Sequence, residues 1–178
     1  MKKVAFSVLS LIFFNVQIKA QDTEPKKTME ISGHVMMDSG YDFGKMDPEW
    51  FDTMRPTKIL DSEGNEFQNQ GNVFFGVRQT TLSIKNYFDT PLGDLKTVIE
   101  FDLFGSGKNS GETTFHLRHA YGKLGKFLFG QTNSVFADME VYPNLIEFMG
   151  PNAAVFTRNI QIRYTPIETE TQTLAIAL

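Results

Sequence analysis

FLFGQTNSVF (Phe127–Phe136), ADMEVYPNLIEFMGPNAAVF (Ala137–Phe156) and TRNIQIRY (Thr157–Tyr164) follow one another directly, and the contrast between them decides the fold. The outer two alternate apolar and polar residues with the period of two that a half-buried strand requires. The middle is far too long for a hairpin turn. It carries the acids Asp138, Glu140 and Glu147, the prolines Pro143 and Pro151, and the large apolar residues Leu145, Ile146, Phe148 and Met149. Long connections are uncommon and usually functional, and such side chains need a wall to pack on. The expectation is that residues 137–157 fold back into the lumen of a membrane β-barrel between two spanning strands.

Working outward, the same period recurs. Leu95, Thr97, Ile99, Phe101 and Leu103 point one way, and Lys96, Val98, Glu100 and Asp102 the other. In Thr113–Leu124, Phe115, Leu117 and Tyr121 oppose His116, Arg118, Ala120 and Gly122, which leaves His119 on the apolar side. Val73–Phe88 alternates imperfectly, because Arg78 falls in line with Leu82; a bulge near Gln79, or Arg78 lying close to the strand end, would reconcile them. Met29, Ile31, Gly33, Val35 and Met37 share a face opposite Glu30, Ser32, His34, Met36 and Asp38. Asp89–Asp94 and Gly125–Lys126 read as tight turns, and Pro166–Gln172 turns into a last strand from Leu174. Gly44–Asn72 is a long polar connection without a helical period, in which Asp61–Asn65 reads as a turn.

Bulk properties narrow the class. The 178 residues suffice for one domain, and no cysteine is present for disulfides or thiolate metal sites. A net charge of −4 with no basic face argues against nucleic acid as a partner. Met1-Lys2-Lys3, the apolar Val4–Phe14 and Val16–Ala20 read as a secretory signal, with cleavage expected after Ala20. Residues 21–28 form a short polar leader, and 29–178 the N-terminal part of a barrel. Beyond Ala20 no apolar run is long enough to span as a helix, so any membrane crossing is by strands.

Three regularities favour an antiparallel transmembrane β-barrel of porin type, here its first six to seven strands. Connections alternate between long and short, as in barrels with short periplasmic turns and long external loops. Aromatics gather at strand ends: Tyr87, Phe88, Tyr121, Phe127 and Tyr164 near short turns, Phe104, Phe115, Phe136 and Phe156 among those near long loops. The polar face carries full charges, which a water-filled lumen accommodates. The competing readings are a non-conducting structural or adhesive barrel and a secreted β-sandwich binding protein.

Three stretches carry a resemblance: VRQTTLSIKNYFDTPLGDLKTVIEFDLFG (Val77–Gly105), FHLRHAYGKLGKFLFGQTNSVFADM (Phe115–Met139) and GPNAAVFTRNIQIRYT (Gly150–Thr165). They resemble the DcaP-like trimeric porins of Gram-negative outer membranes. The resemblance implies a homotrimer of barrels with roughly sixteen strands, loops folded into each lumen, and passage of small anionic solutes such as dicarboxylates. It implies pore-facing roles for Lys96, Glu100, Asp102, Arg118, Gln131, Arg158 and Arg163, opposite Asp138, Glu140 and Glu147 of the loop. No cofactor, metal or catalytic residue is expected. His116 and His119, three apart on one strand, make poor joint ligands, and no nucleophile–base motif stands out.

Overall fold

The computed structural model describes residues 27–43, 47–53, 71–151 and 155–178. The signal, most of the leader and the turn expected at Asp61–Asn65 lie outside the described residues. What is described is all-β: Lys27–His34 (β1), Asp38–Asp42 (β2), Asn72–Gly76 (β3), Thr81–Thr90 (β4), Gly93–Phe104 (β5), Thr113–Leu124 (β6), Phe127–Asn133 (β7), Arg158–Glu168 (β8) and Thr173–Ala177 (β9). Helical geometry among these residues is limited to single 3-10 turns at Pro48–Trp50 and Gly107–Asn109.

Seven strands form one antiparallel sheet in the order β1-β4-β5-β6-β7-β8-β9, so sequence neighbours pair throughout after β4. β2 and β3 pair separately and prolong the β1–β4 ribbon. The last partners of β1 and β4 are His34 and Thr81, and the first of the next pair are Asp38 and Gly76. Three residues on one strand thus oppose four on the other. That is the bulge the broken alternation predicts near Gln79, closed by Thr80 N donating to Val77 O at 3.0 Å. It turns Arg78 inward, where it is 1% exposed.

A second bulge was not legible in the sequence. Between β5 and β6, Glu100 faces His119 but Phe101 faces Leu117, so Arg118 is an extra residue. The phase of β6 therefore reverses at Arg118. His119, Tyr121 and Lys123 fall opposite Glu100, Val98 and Lys96 on the polar face, while Ala120 and Gly122 join the apolar one. This corrects the expected placement of His119 and Tyr121. Both readings assumed an unbroken period, which one inserted residue inverts.

The sheet is a single layer with two unlike faces. One exposes Ile31, Leu82, Ile99, Leu117, Phe129, Ile160, Ile162 and Ile176, each of them large and apolar. On this face Phe127 stacks on Tyr164 with centroids 4.9 Å apart, and Phe101 meets Phe115 edge-on at 5.8 Å. No second layer covers it among the described residues, which excludes the sandwich, whose core would lie there. An uncovered apolar face on a single sheet is what lipid solvates in a barrel wall. The opposite face carries Glu30, Lys85, Glu100, Asp102 and Arg118, paired with one another across neighbouring strands.

Apolar burial is concentrated at one end of the polar face rather than in a central core. Trp50 (6% exposed) and Phe104 (1%) lie there with ring centroids 5.9 Å apart. Phe104 follows Asp102 by two residues on β5 and shares its face, so it belongs to the interior and not to an interfacial girdle.

Candidate functional site

The polar face is built around a network on β5 and β6. Asp102, with its side chain fully buried, accepts from His116 Nδ1 at 2.9 Å, from Arg118 NH1 at 3.1 Å and from the Phe104 backbone N–H at 3.0 Å. Arg118 also donates from Nε to Glu100 Oε1 at 2.9 Å. The inserted residue of the bulge is thus the one that bridges both carboxylates. His119 Nδ1 lies 3.0 Å from Thr132 Oγ1 on β7, and its Nε2 3.9 Å from Glu100 Oε1. Lower on the same face Lys85 pairs with Glu30 at 3.1 Å and Lys123 with Glu168 at 2.8 Å, and the Lys96 ammonium sits 5.7 Å from the Tyr87 ring centre. Lys96, Glu100, Asp102 and Arg118 share a wall that the alternation had drawn, and the bulge adds His119 to it.

Arg163 on β8 is held differently. Its Nε and NH2 donate to Gln161 Oε1 at 3.1 and 3.0 Å, and NH2 also to the Asn133 carbonyl. Gln161 is itself fixed by donating to the Thr132 and Asn133 carbonyls at 3.3 and 3.0 Å. All these acceptors are neutral, so they orient the guanidinium without cancelling its charge. Arg158, at the start of β8, places its guanidinium 4.7 Å over the Phe156 ring, and its charge interacts with those of Arg118, Asp102 and Glu100. That puts it on the polar side despite its phase, because the strand is only beginning there.

The long connection lies across this face. It leaves β7 with Ser134 N donating to Thr157 O at 2.9 Å, which closes its base. Asp138 and Glu140 line one cleft of about 690 Å³ together with Arg163, Thr132 and the β8–β9 turn. Farther along, Gln79 Nε2 donates to Ile146 O at 2.8 Å, and Phe148 stacks parallel on Phe104 with centroids 3.6 Å apart. The segment therefore spans from β8 to the β3–β5 end of the sheet.

Two expected pore residues stand elsewhere. Gln131 pairs with Ala120 and Ile160, in the apolar row, and its amide donates to the Leu117 and Arg118 carbonyls at 3.2 and 3.4 Å. The β6–β7 pairing begins at Ala120 and Gln131, and the Gln131 amide reaches the two carbonyls beyond it. Glu147 reaches the other connection: it accepts from Thr53 Oγ1 and from Met149 N, the latter at 3.1 Å. An apolar loop that docks through Phe148 carries the adjacent acid toward the docking wall.

Sequence reasoning missed Arg78 and Asp52 altogether. Arg78 donates from Nε to Asp52 Oδ2 at 2.9 Å and from NH2 to Asp52 Oδ1, and its guanidinium lies 4.0 Å from the Phe104 ring centre. The one available signal was Arg78 breaking the phase of its strand. Its partner, on a connection read as polar and external, offered none.

A single antiparallel sheet with an apolar outside, a charged inside and a connection laid over the charges defines the class of transmembrane β-barrel walls. The family model described as DcaP outer membrane protein matches residues 16–178, and the chain belongs to that family. The crystal structure of the outer membrane channel DcaP of Acinetobacter baumannii superposes with a TM-score of 0.65 at 25% sequence identity, over 85% of this chain and 40% of that one. The chain thus spans 40% of the length of that channel. Among curated proteins none matches it. The family locates the protein in the outer membrane, and the open sheet accords with part of a larger barrel.

Proposed function

We propose that the chain is the N-terminal part of an outer-membrane porin through which small hydrophilic anions diffuse, dicarboxylates being the class that fits best. The residue that carries the reading is Arg163. It is held by neutral acceptors, retains its charge, and lines the same cleft as Asp138 and Glu140. Opposed charges across a water-filled gap create a transverse field that sorts solutes by sign and size. Arg158 adds a second cation, whereas Arg118 is already matched by Glu100 and Asp102. The Acinetobacter baumannii relative is described as a channel, which supports conduction here.

In this reading residues 137–157 form the constriction, Lys96 and Arg118 line the wall below it, and the protein is exported by a signal cleaved after Ala20. Assembly as a homotrimer belongs to the same proposal, and chemical cross-linking of the detergent-extracted protein tests it. Reversal potentials of the full-length protein in planar bilayers under a salt gradient test selectivity. Arg163→Glu shifts them toward cations; unchanged potentials in that variant sink the anion reading.

A further inference from the structure

Among the described residues, two connections meet the end of β5 at one buried cluster. Arg78 and Phe104 are each 1% exposed, and Asp52 is 7%. The Arg78 guanidinium lies on one side of the Phe104 ring at 4.0 Å, and the Phe148 ring lies parallel to Phe104 at 3.6 Å with 3° between planes. Phe104 belongs to the wall, Phe148 to the connection after β7, and Asp52, which holds Arg78, to the connection after β2. The two connections also touch directly, through Thr53 Oγ1 donating to Glu147.

Among the described residues the reach of the long connection toward β3–β5 therefore rests on a few points: Phe148 on Phe104, Glu147 on Thr53 and the Ile146 carbonyl on Gln79. Two of these three depend on groups that Arg78 orders. A buried guanidinium forked onto one carboxylate is stiff, and removing either partner leaves the other buried and unpaired. We infer that Arg78 is a positioning residue: with Asp52 it clamps residues 50–53 against the wall, and the clamped segment holds residues 145–149 of the constriction in place. The inference rests on the porin reading for its consequence but not for its geometry.

These 178 residues hold no cysteine to compete with an introduced one. Asn144→Cys, in an exposed part of the connection, takes a nitroxide label in the full-length protein reconstituted in lipid vesicles, and the same variants are recorded as single channels. The label's immobilised spectral component is lost in Arg78→Met and in Phe148→Leu, and retained in Phe148→Tyr, which keeps the stacked ring. Heat-modifiable migration shows that each barrel has folded, and Asp52→Asn stands in if Arg78→Met does not fold. Retention of the immobilised component in a folded Arg78→Met, or in Asp52→Asn in its place, overturns the clamp. Loss of that component with unchanged single-channel conductance and noise upholds the clamp and overturns the constriction role of the loop.

Discussion

Arg118 is the extra residue of the β6 bulge and bonds both Glu100 and Asp102, through Nε at 2.9 Å and NH1 at 3.1 Å. A regular strand could have presented His119 or Arg118 to β5, not both. The inserted residue lets one strand set Arg118 and His119, neighbours in sequence, beside one carboxylate pair.

Arg118→Met therefore destabilises the folded barrel. Asp102 keeps His116 and the Phe104 N–H, and Arg118 is a quarter exposed, so the loss is about 2 kcal/mol and not the larger figure for an isolated buried pair. Urea unfolding in detergent measures it. Combined with Glu100→Gln, the loss falls short of the sum of the single variants, since Glu100 is no longer left unpaired. Strict additivity contradicts the bridge.

Gln131→Leu probes the correction on β7. With its amide on the apolar side, the variant loses two hydrogen bonds at the bulge and about 1 kcal/mol of stability, while reversal potential stays at the wild-type value. A changed reversal potential would return Gln131 to the lumen.

Ile162→Arg tests the lipid face. Ile162 is 55% exposed and paired with Phe129, in the middle of the apolar band. A cation there costs about 2–4 kcal/mol if hydrocarbon surrounds it. Substituting Asn159, on the charged face, with Arg costs far less. Equal effects at both positions mean that the face is not lipid-solvated.

Gly130→Ala tests a backbone requirement. Gly130 has φ of +126°, and an added Cβ would stand 2.8 Å from the Tyr121 Cα. Strain of about 1–3 kcal/mol follows, seen as a lower urea midpoint. Gly122→Ala makes a useful contrast, because its backbone is not left-handed and its added Cβ meets only Leu95 Cδ1 at 3.9 Å.

Much of the wall was legible because alternation survives wherever a strand is regular. Lys96, Glu100 and Asp102 sit on one face of β5, and the bulge beside Arg78 announced itself as a broken phase. The bulge at Arg118 showed only as His119 stranded on the apolar side, which a single misplaced polar residue does not distinguish from an inserted one. Gln131 was misplaced for a related reason: a polar residue on an apolar face makes sense only once the carbonyls its amide reaches on the next strand are seen. Glu147 shows the limit for loops. Its apolar neighbours revealed that the segment docks, but the direction in which the acid turns depends on Thr53, far away in sequence.

The packed mouth is also a water-type core inside a protein otherwise solvated by lipid. Trp50 is the single tryptophan of this sequence, and it is buried there against Phe104. Indole emission from this chain therefore ignores the bilayer-facing band and reports the mouth alone. A red shift on adding urea at fixed detergent marks the moment the two connections come off the wall, even while the strands remain paired beneath them.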